Sequence, residues 1–266
     1  MCLIALAWRT DPRYELALIA NRDEFHARPA AAAAHDPLHA DLYGGRDLAQ
    51  GGSWLMVSTR GRLAAVTNVR AGKAGEVAPR SRGALVRDFV AGSATTGDFV
   101  AALATTAAEY GRFNLLLWDG GSLRFAGNHP HFSTAAVAPG VHAMSNGAFD
   151  APWPKSGHAT RALGSWLASL PAPPLAGDPD AERALAPLFG ALADTTPATD
   201  AVLPDTGVGI ELERALSPPF LLGEDYGTRC SAVVLVDAGA ITFVERRFGP
   251  HATPAGESVA VLPRSG

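Results

Sequence analysis

The sequence predicts an α+β protein built as a four-layer α-β-β-α sandwich of two antiparallel sheets. Three observations lead there. Apolar and polar residues alternate with period two through the first third of the chain, between clear turn signals. The period then lengthens to helical spacing. Finally, the order strands, two helices, strands, two helices, strands places each helical pair between strand blocks, where it has a sheet face to cover.

The elements follow in order. "LIALAW" and "ELALIANRD" flank the Asp-Pro turn "RTDPRY" and form a hairpin. Antiparallel pairing then brings Cys2, at the start of one strand, near Asn21 to Glu24 at the end of the other. The alanine run at 30–34 reads as low complexity, and "LYGGRDLAQGGSW" as an irregular crossing with close backbone approach. "SWLMVSTRGRLAAVTNVR" supplies two strands about an Arg-Gly turn, the second ending at Asn68. "SRGALVRDFVAG" and "GDFVAALATTAAEY" are helical, with Ser81 and Asp98 as caps. "FNLLLWDGGSLRFAGN" is a hairpin, "VHAMSN" a short strand, and the stretch from Trp153 to Leu170 a longer helix. "PAPPLAGDP" breaks that helix before "DAERALAPLFGALAD" resumes one. Residues 195–226 form a long loop with a turn or two of helix at "GIELERAL". "RCSAVVLVDAGAITFVERRF" closes as a hairpin, with an edge strand at "SVAVL".

The chain has 266 residues, of which 47% are hydrophobic and 18% charged, enough apolar material to bury a core as a single domain over 1–266. A net charge of −4 with no basic run argues against nucleic acid. No segment approaches the roughly 20 apolar residues of a membrane span. With two cysteines, and an apolar start that meets Arg9 and Asp11 almost at once, the expectation is a cytoplasmic chain without a signal peptide. His35 and His39, and His129 and His131, lack zinc spacing, so no metal site is expected.

Cys2 directly follows the initiator methionine. Removal of Met1 leaves an α-amino group beside the thiol, so nucleophile and base become one residue. A thiol of pKa about 8.5 is partly ionised at neutral pH, and an α-amine of pKa about 7.7–8.0 can take its proton. Attack on a carbonyl also needs aimed donors for the oxyanion, which asparagine amides supply.

"NRDEF" (21–25), "GGRD" (44–47), "GGSW" (51–54), "TNVR" (67–70), "NGAFDAPWPK" (146–155) and "YGTR" (226–229) together resemble the NRDE family, also called the transport and Golgi organisation family. The resemblance spans nearly the whole chain. That family is similar to the N-terminal nucleophile (Ntn) hydrolases of the choloylglycine hydrolase and penicillin V acylase branch, which begin Met-Cys, lose the methionine and open amide bonds with the exposed cysteine. It implies an Ntn-hydrolase-like fold with Cys2 as nucleophile. Against that pattern Asn21 stands where an arginine is expected and Glu24 where an aspartate is expected, with Arg22 a substitute only if its side chain faces the thiol. Asn68 and Asn146 resemble the two asparagines that serve the oxyanion. Arg229 resembles the late arginine held near the thiol, where its charge favours the thiolate. Glu24 would hold the ammonium or an arginine.

The same residues have plainer readings. "NRDE" reads equally as a solvated strand end, Asn68 and Asn146 as turn residues, Arg229 as an ion-pair partner of Asp225 or Glu224, and Cys230 as core. A redox pair between Cys2 and Cys230 is disfavoured because their side chains are expected in different layers. Two functions result. The first is a cysteine hydrolase or acyltransferase acting on an amide or thioester of a small molecule, with no cofactor required. The second, which the family resemblance implies, is a non-catalytic protein that binds or carries haem, lipid or acyl-CoA in the same cleft, with haem iron within the ligand range of thiolate or imidazole. Loops at 26–43, 71–80 and 195–226 would set specificity.

Overall fold

The computed structural model describes residues 2–72, 78–169 and 179–264. In chain order its elements are β1 (Cys2–Asp11), β2 (Tyr14–Phe25), β3 (Ala30–His35), β4 (Leu42–Asp47), β5 (Leu55–Ser58), β6 (Arg62–Asn68), α1 (Arg82–Ala91), α2 (Thr96–Leu103), β7 (Phe113–Trp118), β8 (Leu123–Gly127), β9 (Ser133–Ala136), β10 (Gly140–Met144), α3 (Pro154–Ser169), α4 (Pro179–Leu192), α5 (Ile210–Ala215), β11 (Tyr226–Val236), β12 (Ala240–Phe248) and β13 (Pro254–Pro263). The expected α+β class with two antiparallel sheets is found. Met1, Leu170 and most of the helix-breaking "PAPPLAGDP" lie outside the described residues.

The chain divides into two compact units. The first, residues 1–27, 71–73 and 139–263, holds a six-stranded sheet ordered β10-β1-β2-β11-β12-β13. Its centre has no polar face. Leu3, Ala5 and Ala7 of β1 pack with Ala17, Ile19, Val233 and Leu235 against Leu163 and Trp166 of α3 and Leu188 and Phe189 of α4. Ile4, Leu6 and Trp8, which alternate with them, are buried as well. This is why "LIALAW" is a continuous apolar run, the mark of a strand covered on both sides. The Trp166 indole N–H donates to the Ala184 carbonyl at 2.7 Å and its ring stacks on Tyr14, pinning α3 to α4 and to the β1–β2 hairpin. "SVAVL" falls within β13, on the sheet edge as expected.

The second unit, 28–70, 74–138 and 264–266, is a seven-stranded meander in sequence order from β3 to β9, with α1 and α2 covering one face. Two expectations need correction here. The alanine run is strand β3, because its edge position against β4 asks little of its side chains. Asp98 does not open α2: Thr95 is the N-cap, accepting from the Asp98 N–H at 3.1 Å, and the Thr95 hydroxyl donates to the Asp98 carboxylate. The N-cap thus lies three residues before Asp98, which sits in the first turn of the helix. Ser81 caps α1 as expected. The "irregular crossing" contains regular strand β4, but its close approach is real. A Cβ on Gly44 would lie 2.5 Å from the Leu55 carbonyl oxygen, so only glycine fits there. Among the described residues no helix is long and apolar enough to cross a membrane.

Candidate active site

The site in the first unit grows from strand register. Cys2 lies directly opposite Arg22 on β2, Arg22 opposite Cys230 on β11, and Cys230 opposite Arg247 on β12. Residues paired across antiparallel strands share a sheet face. Cys2, Arg22, Cys230 and Arg247 therefore form one row. Their neighbours in sequence, Leu3, Asn21 and Ser231, form the matching row on the face covered by α3 and α4.

This alternation corrects the reading of "ANRDEF". Asn21 is buried on the helix-covered face, where its Nδ2 donates to the Leu192 and Pro219 carbonyls at 2.8 and 2.9 Å and its Oδ1 accepts from the Ser231 hydroxyl at 2.6 Å. It ties three chain segments together and is not beside the thiol. Arg22 is, with only 6% of its surface exposed. The guanidinium expected from Asn21's place is thus supplied one residue later. Glu24, two residues along β2 and on the same face, holds Arg22 with Oε2 3.8 Å from Nη2.

Arg229 is corrected too. It occupies a bulge where β11 slips register against β2 between Thr228 and Cys230, and its Nη1 donates to the Phe25 carbonyl at 2.8 Å. Burial and the neighbouring Arg22 cation lower its pKa. The arginine whose charge pulls the Cys2 pKa down is Arg22, not Arg229. Even so, burial dominates and pushes the Cys2 thiol up, aided by the Asp23 charge; the N-terminal ammonium, then Arg22 and a hydrogen bond from the Asp23 N–H to the sulfur, oppose it.

On the other side of β1, β10 continues the register to Ile4↔Met144 and leads into Ser145 and Asn146. Asn146 has no exposed surface. The Ser145 hydroxyl donates to the Cys2 carbonyl at 2.9 Å, and Asn146 Oδ1 lies 3.3 Å from the Ser145 Oγ. The rest of "NGAFDAPWPK" is a folded loop. Asp150 accepts from the Ala143 N–H and from His142 Nδ1 at 2.8 and 2.7 Å, and His142 stacks on Phe149. A Cβ on Gly147 would lie 2.6 Å from the Trp153 ring, so the indole closes directly over the backbone beside Asn146.

Several participants escaped the sequence reading. Asp23 is buried behind Arg22; its Oδ1 accepts from the Thr228 hydroxyl at 2.7 Å and its carbonyl from Tyr226 at 3.1 Å. Burial raises its carboxyl pKa, while the buried Lys155 cation of α3 acts in the opposite direction. The signal was parity: Asp23 is the strand neighbour of Arg22 and so belongs to the opposite face of the sheet, the face that α3 covers. Ser145 was overlooked as the residue before a more conspicuous asparagine. Asn68 ends β6, paired with Phe113, in the second unit.

Cys230 is core, as its plain reading held. Its thiol donates to the buried Glu245 carboxylate, and burial with that negative charge raises its pKa well above the ordinary thiol value. The two cysteines share a face after all, which corrects the reason for dismissing a redox pair. They are two strands apart, about 9.5 Å at the usual spacing, beyond the reach of a disulfide. Among the described residues no group of three His, Cys, Asp or Glu side chains stands close enough to hold a metal ion.

Residues 1–250 match the family described as Transport and Golgi organisation 2. The chain belongs to this family. It is 33% identical to the Transport and Golgi organization protein 2 homolog of Bos taurus and 30% identical to that of Homo sapiens, each match covering 92% of both chains. Among solved structures it is similar to a C2A mutant of the conjugated bile acid hydrolase of Clostridium perfringens, at TM-score 0.46 and 11% identity over 99% of this chain and 92% of that one. An N-acylethanolamine-hydrolyzing acid amidase ortholog of Caenorhabditis elegans gives TM-score 0.46 and 10% identity over 88% of this chain and 92% of that one.

Proposed function

We propose that this family member is a cysteine N-terminal-nucleophile hydrolase or acyltransferase acting on an amide or thioester of a small molecule. The observation that carries the reading is the placement of the Cys2 thiol on one sheet face with Arg22, the Asp23 N–H directed at its sulfur and the Asn146 carboxamide in the next strand's continuation. That is a nucleophile, a cation and a donor to the sulfur together, with a neutral amide two residues beyond the Met144 that pairs with Ile4.

In this mechanism removal of Met1 makes the Cys2 nitrogen a primary amine. The amine takes the thiol proton as Sγ attacks the substrate carbonyl. Asn146 Nδ2 donates to the oxyanion, and the collapsing tetrahedral adduct expels an amine or thiol that receives the proton. A Cys2 thioester remains. Water then attacks it with the amine again as base, releasing the acid, or a second nucleophile takes the acyl group. Arg22, held by Glu24, offsets the burial that disfavours the thiolate.

The test begins with the intact mass of the purified protein. Retention of Met1 on every molecule removes the α-amine base and ends this reading; titration with haem and acyl-CoA then becomes the decisive experiment for a binding role in the same site. Loss of Met1 leads to a screen of acyl amides and acyl thioesters with Cys2→Ala as control. Turnover abolished by that substitution, with a trapped acyl-thioester adduct in the wild type, supports the reading.

A further inference from the structure

We propose that Asp150 is a positioning residue: its carboxylate closes the loop that follows β10 and, through Ser145, holds the main chain of Cys2 in place. The catalytic consequence rests on the hydrolase reading, whereas the effect on the thiol does not. The structural reason begins where a strand pairing stops. β10 pairs with β1 as far as Ile4↔Met144. Two residues nearer the chain start, the Cys2 carbonyl accepts from a side chain instead, the Ser145 hydroxyl at 2.9 Å. That hydroxyl has one proton, and this bond uses it. Ser145 directly follows Met144, so its place depends on how the chain leaves the strand.

Asp150 governs that exit. β10 is an edge strand, and Asp150 takes both main-chain groups of Ala143 on its outer side. The Asp150 N–H donates to the Ala143 carbonyl at 2.9 Å, and Oδ1 accepts from the Ala143 N–H at 2.8 Å. Oδ2 accepts from His142 Nδ1 at 2.7 Å, and the His142 ring stacks on Phe149. Three hydrogen bonds thus tie residue 150 to residues 142 and 143 and close the loop that carries Ser145. The backbone at Asp150 has φ +57°, a left-handed conformation that aspartate tolerates better than most residues and that surrounding bonds must maintain. The consequence reaches the thiol through burial, the main influence that raises the Cys2 pKa. Release of the Cys2 carbonyl lets the start of β1 move toward water, and a thiol closer to water ionises more readily.

Two substitutions at residue 150 separate the carboxylate from the backbone. Asp150→Gly keeps the N–H and suits a positive φ but removes both acceptor oxygens. Asp150→Asn keeps an acceptor for Ala143 and a polar group that His142 can meet in its other tautomer. The first readout needs no activity: the rate of iodoacetamide alkylation at Cys2 against pH, followed by mass spectrometry of the labelled peptide. Asp150→Gly should move this profile to lower pH and speed labelling roughly threefold or more near neutral pH. Asp150→Asn should restore the wild-type profile. Ser145→Ala should reproduce the glycine effect, and the double variant should go no further than either change alone, because both break one chain of contacts. An unchanged profile in Asp150→Gly overturns the proposal, and so do effects of Asp150→Gly and Ser145→Ala that add. Alkylation of Cys230 in native Asp150→Gly assigns the change to unfolding and overturns it as well. The second readout is steady-state kinetics on acyl p-nitroanilides and acyl thioesters. A misplaced nucleophile should lower kcat roughly tenfold in Asp150→Gly with KM little changed, and asparagine should restore it. An absence of turnover by the wild type defeats the hydrolase reading and leaves the alkylation profile to decide the role of Asp150. If wild-type turnover is measured and Asp150→Gly keeps its kcat, the catalytic consequence is overturned.

Discussion

At the scale of single residues, the two thiols of the first unit differ in what surrounds them and should differ in reactivity. Cys2 is partly exposed, and burial raises its pKa against the pull of Arg22 and the Asp23 N–H. Cys230 is fully buried and donates to Glu245, whose charge adds to the shift. A raised thiol pKa means less thiolate at neutral pH, and thiolate is the form that alkylates. Native protein treated with iodoacetamide near pH 8 should therefore label at Cys2 more slowly than an unstructured peptide thiol and should not label at Cys230 until it is unfolded. Arg22→Met should slow Cys2 further, because it removes one of the two cations that oppose burial, the other being the N-terminal ammonium. Mass spectrometry of the labelled peptides checks both, and rapid labelling of Cys230 in the folded state would contradict the burial argument.

At the scale of elements, α1 shows how strands finish a helix. Gly92 follows it with φ −77°, so no left-handed cap closes its end. The last carbonyls are served instead from the β5–β6 turn. Arg62 donates to Phe89 and Ala94 at 3.1 and 2.6 Å with its guanidinium 4.1 Å over the Phe89 ring, and Arg60 donates to Val90 and Ala91 at 3.0 and 2.9 Å. Charged donors at a helix C-terminus satisfy orphan carbonyls and complement the dipole. Arg62 is buried, so Arg62→Ala should cost about 2–3 kcal/mol in urea unfolding. Arg60 is 41% exposed at its side chain and should cost about 1 kcal/mol or less.

Elements also explain what was legible in advance. The β1–β2, β7–β8 and β11–β12 hairpins announced themselves through apolar strands and Asp- or Gly-containing turns, because local chemistry decides them. The register Cys2↔Arg22 followed from the first hairpin alone. What failed was the facing of single residues. Asn21 was aligned by motif where parity assigns the thiol-facing position to Arg22, and Arg229 was placed near the thiol without sight of the bulge that redirects it. A bulge arises from the pairing of β2 with β11, residues about 200 apart in sequence, and such pairing has no local signature. β3 was missed for a different reason: alanine carries no period.

Over the whole molecule, the carboxylates divide in their response to acid. Asp119 lies in the β7–β8 turn. Burial would raise its pKa, but N–H donors from Thr96, Ser122 and Gly121 and the Ser122 hydroxyl outweigh this and hold it below the usual value. Asp36 is likewise lowered against burial, by Arg87 and the Leu38 and His39 N–H groups. A depressed folded pKa means that the unfolded chain binds more protons as pH falls. The stability these groups contribute is present above the unfolded value, about 3.9, and lost as pH drops through the folded value. Asp23 in the first unit has the opposite sign. Its raised pKa means that ionisation costs stability near neutral pH, a cost relieved as acid protonates it in the folded state. Mild acidification should therefore favour the first unit through Asp23, while Asp36 and Asp119 weaken the second only below about pH 4. Asp119→Asn isolates the second half of this contrast. Its Oδ2 acceptor for the Thr96 N–H is replaced by a donor, so urea titration at about pH 7 should show a loss near 1 kcal/mol after allowance for solvent screening. As pH falls below the unfolded value of about 3.9 the deficit should shrink, and it should disappear once pH has dropped through the lowered folded value, where the wild-type carboxylate loses its charge as well. A deficit that stays constant across that range would mean that the Asp119 charge contributes nothing and that the packing of its turn does.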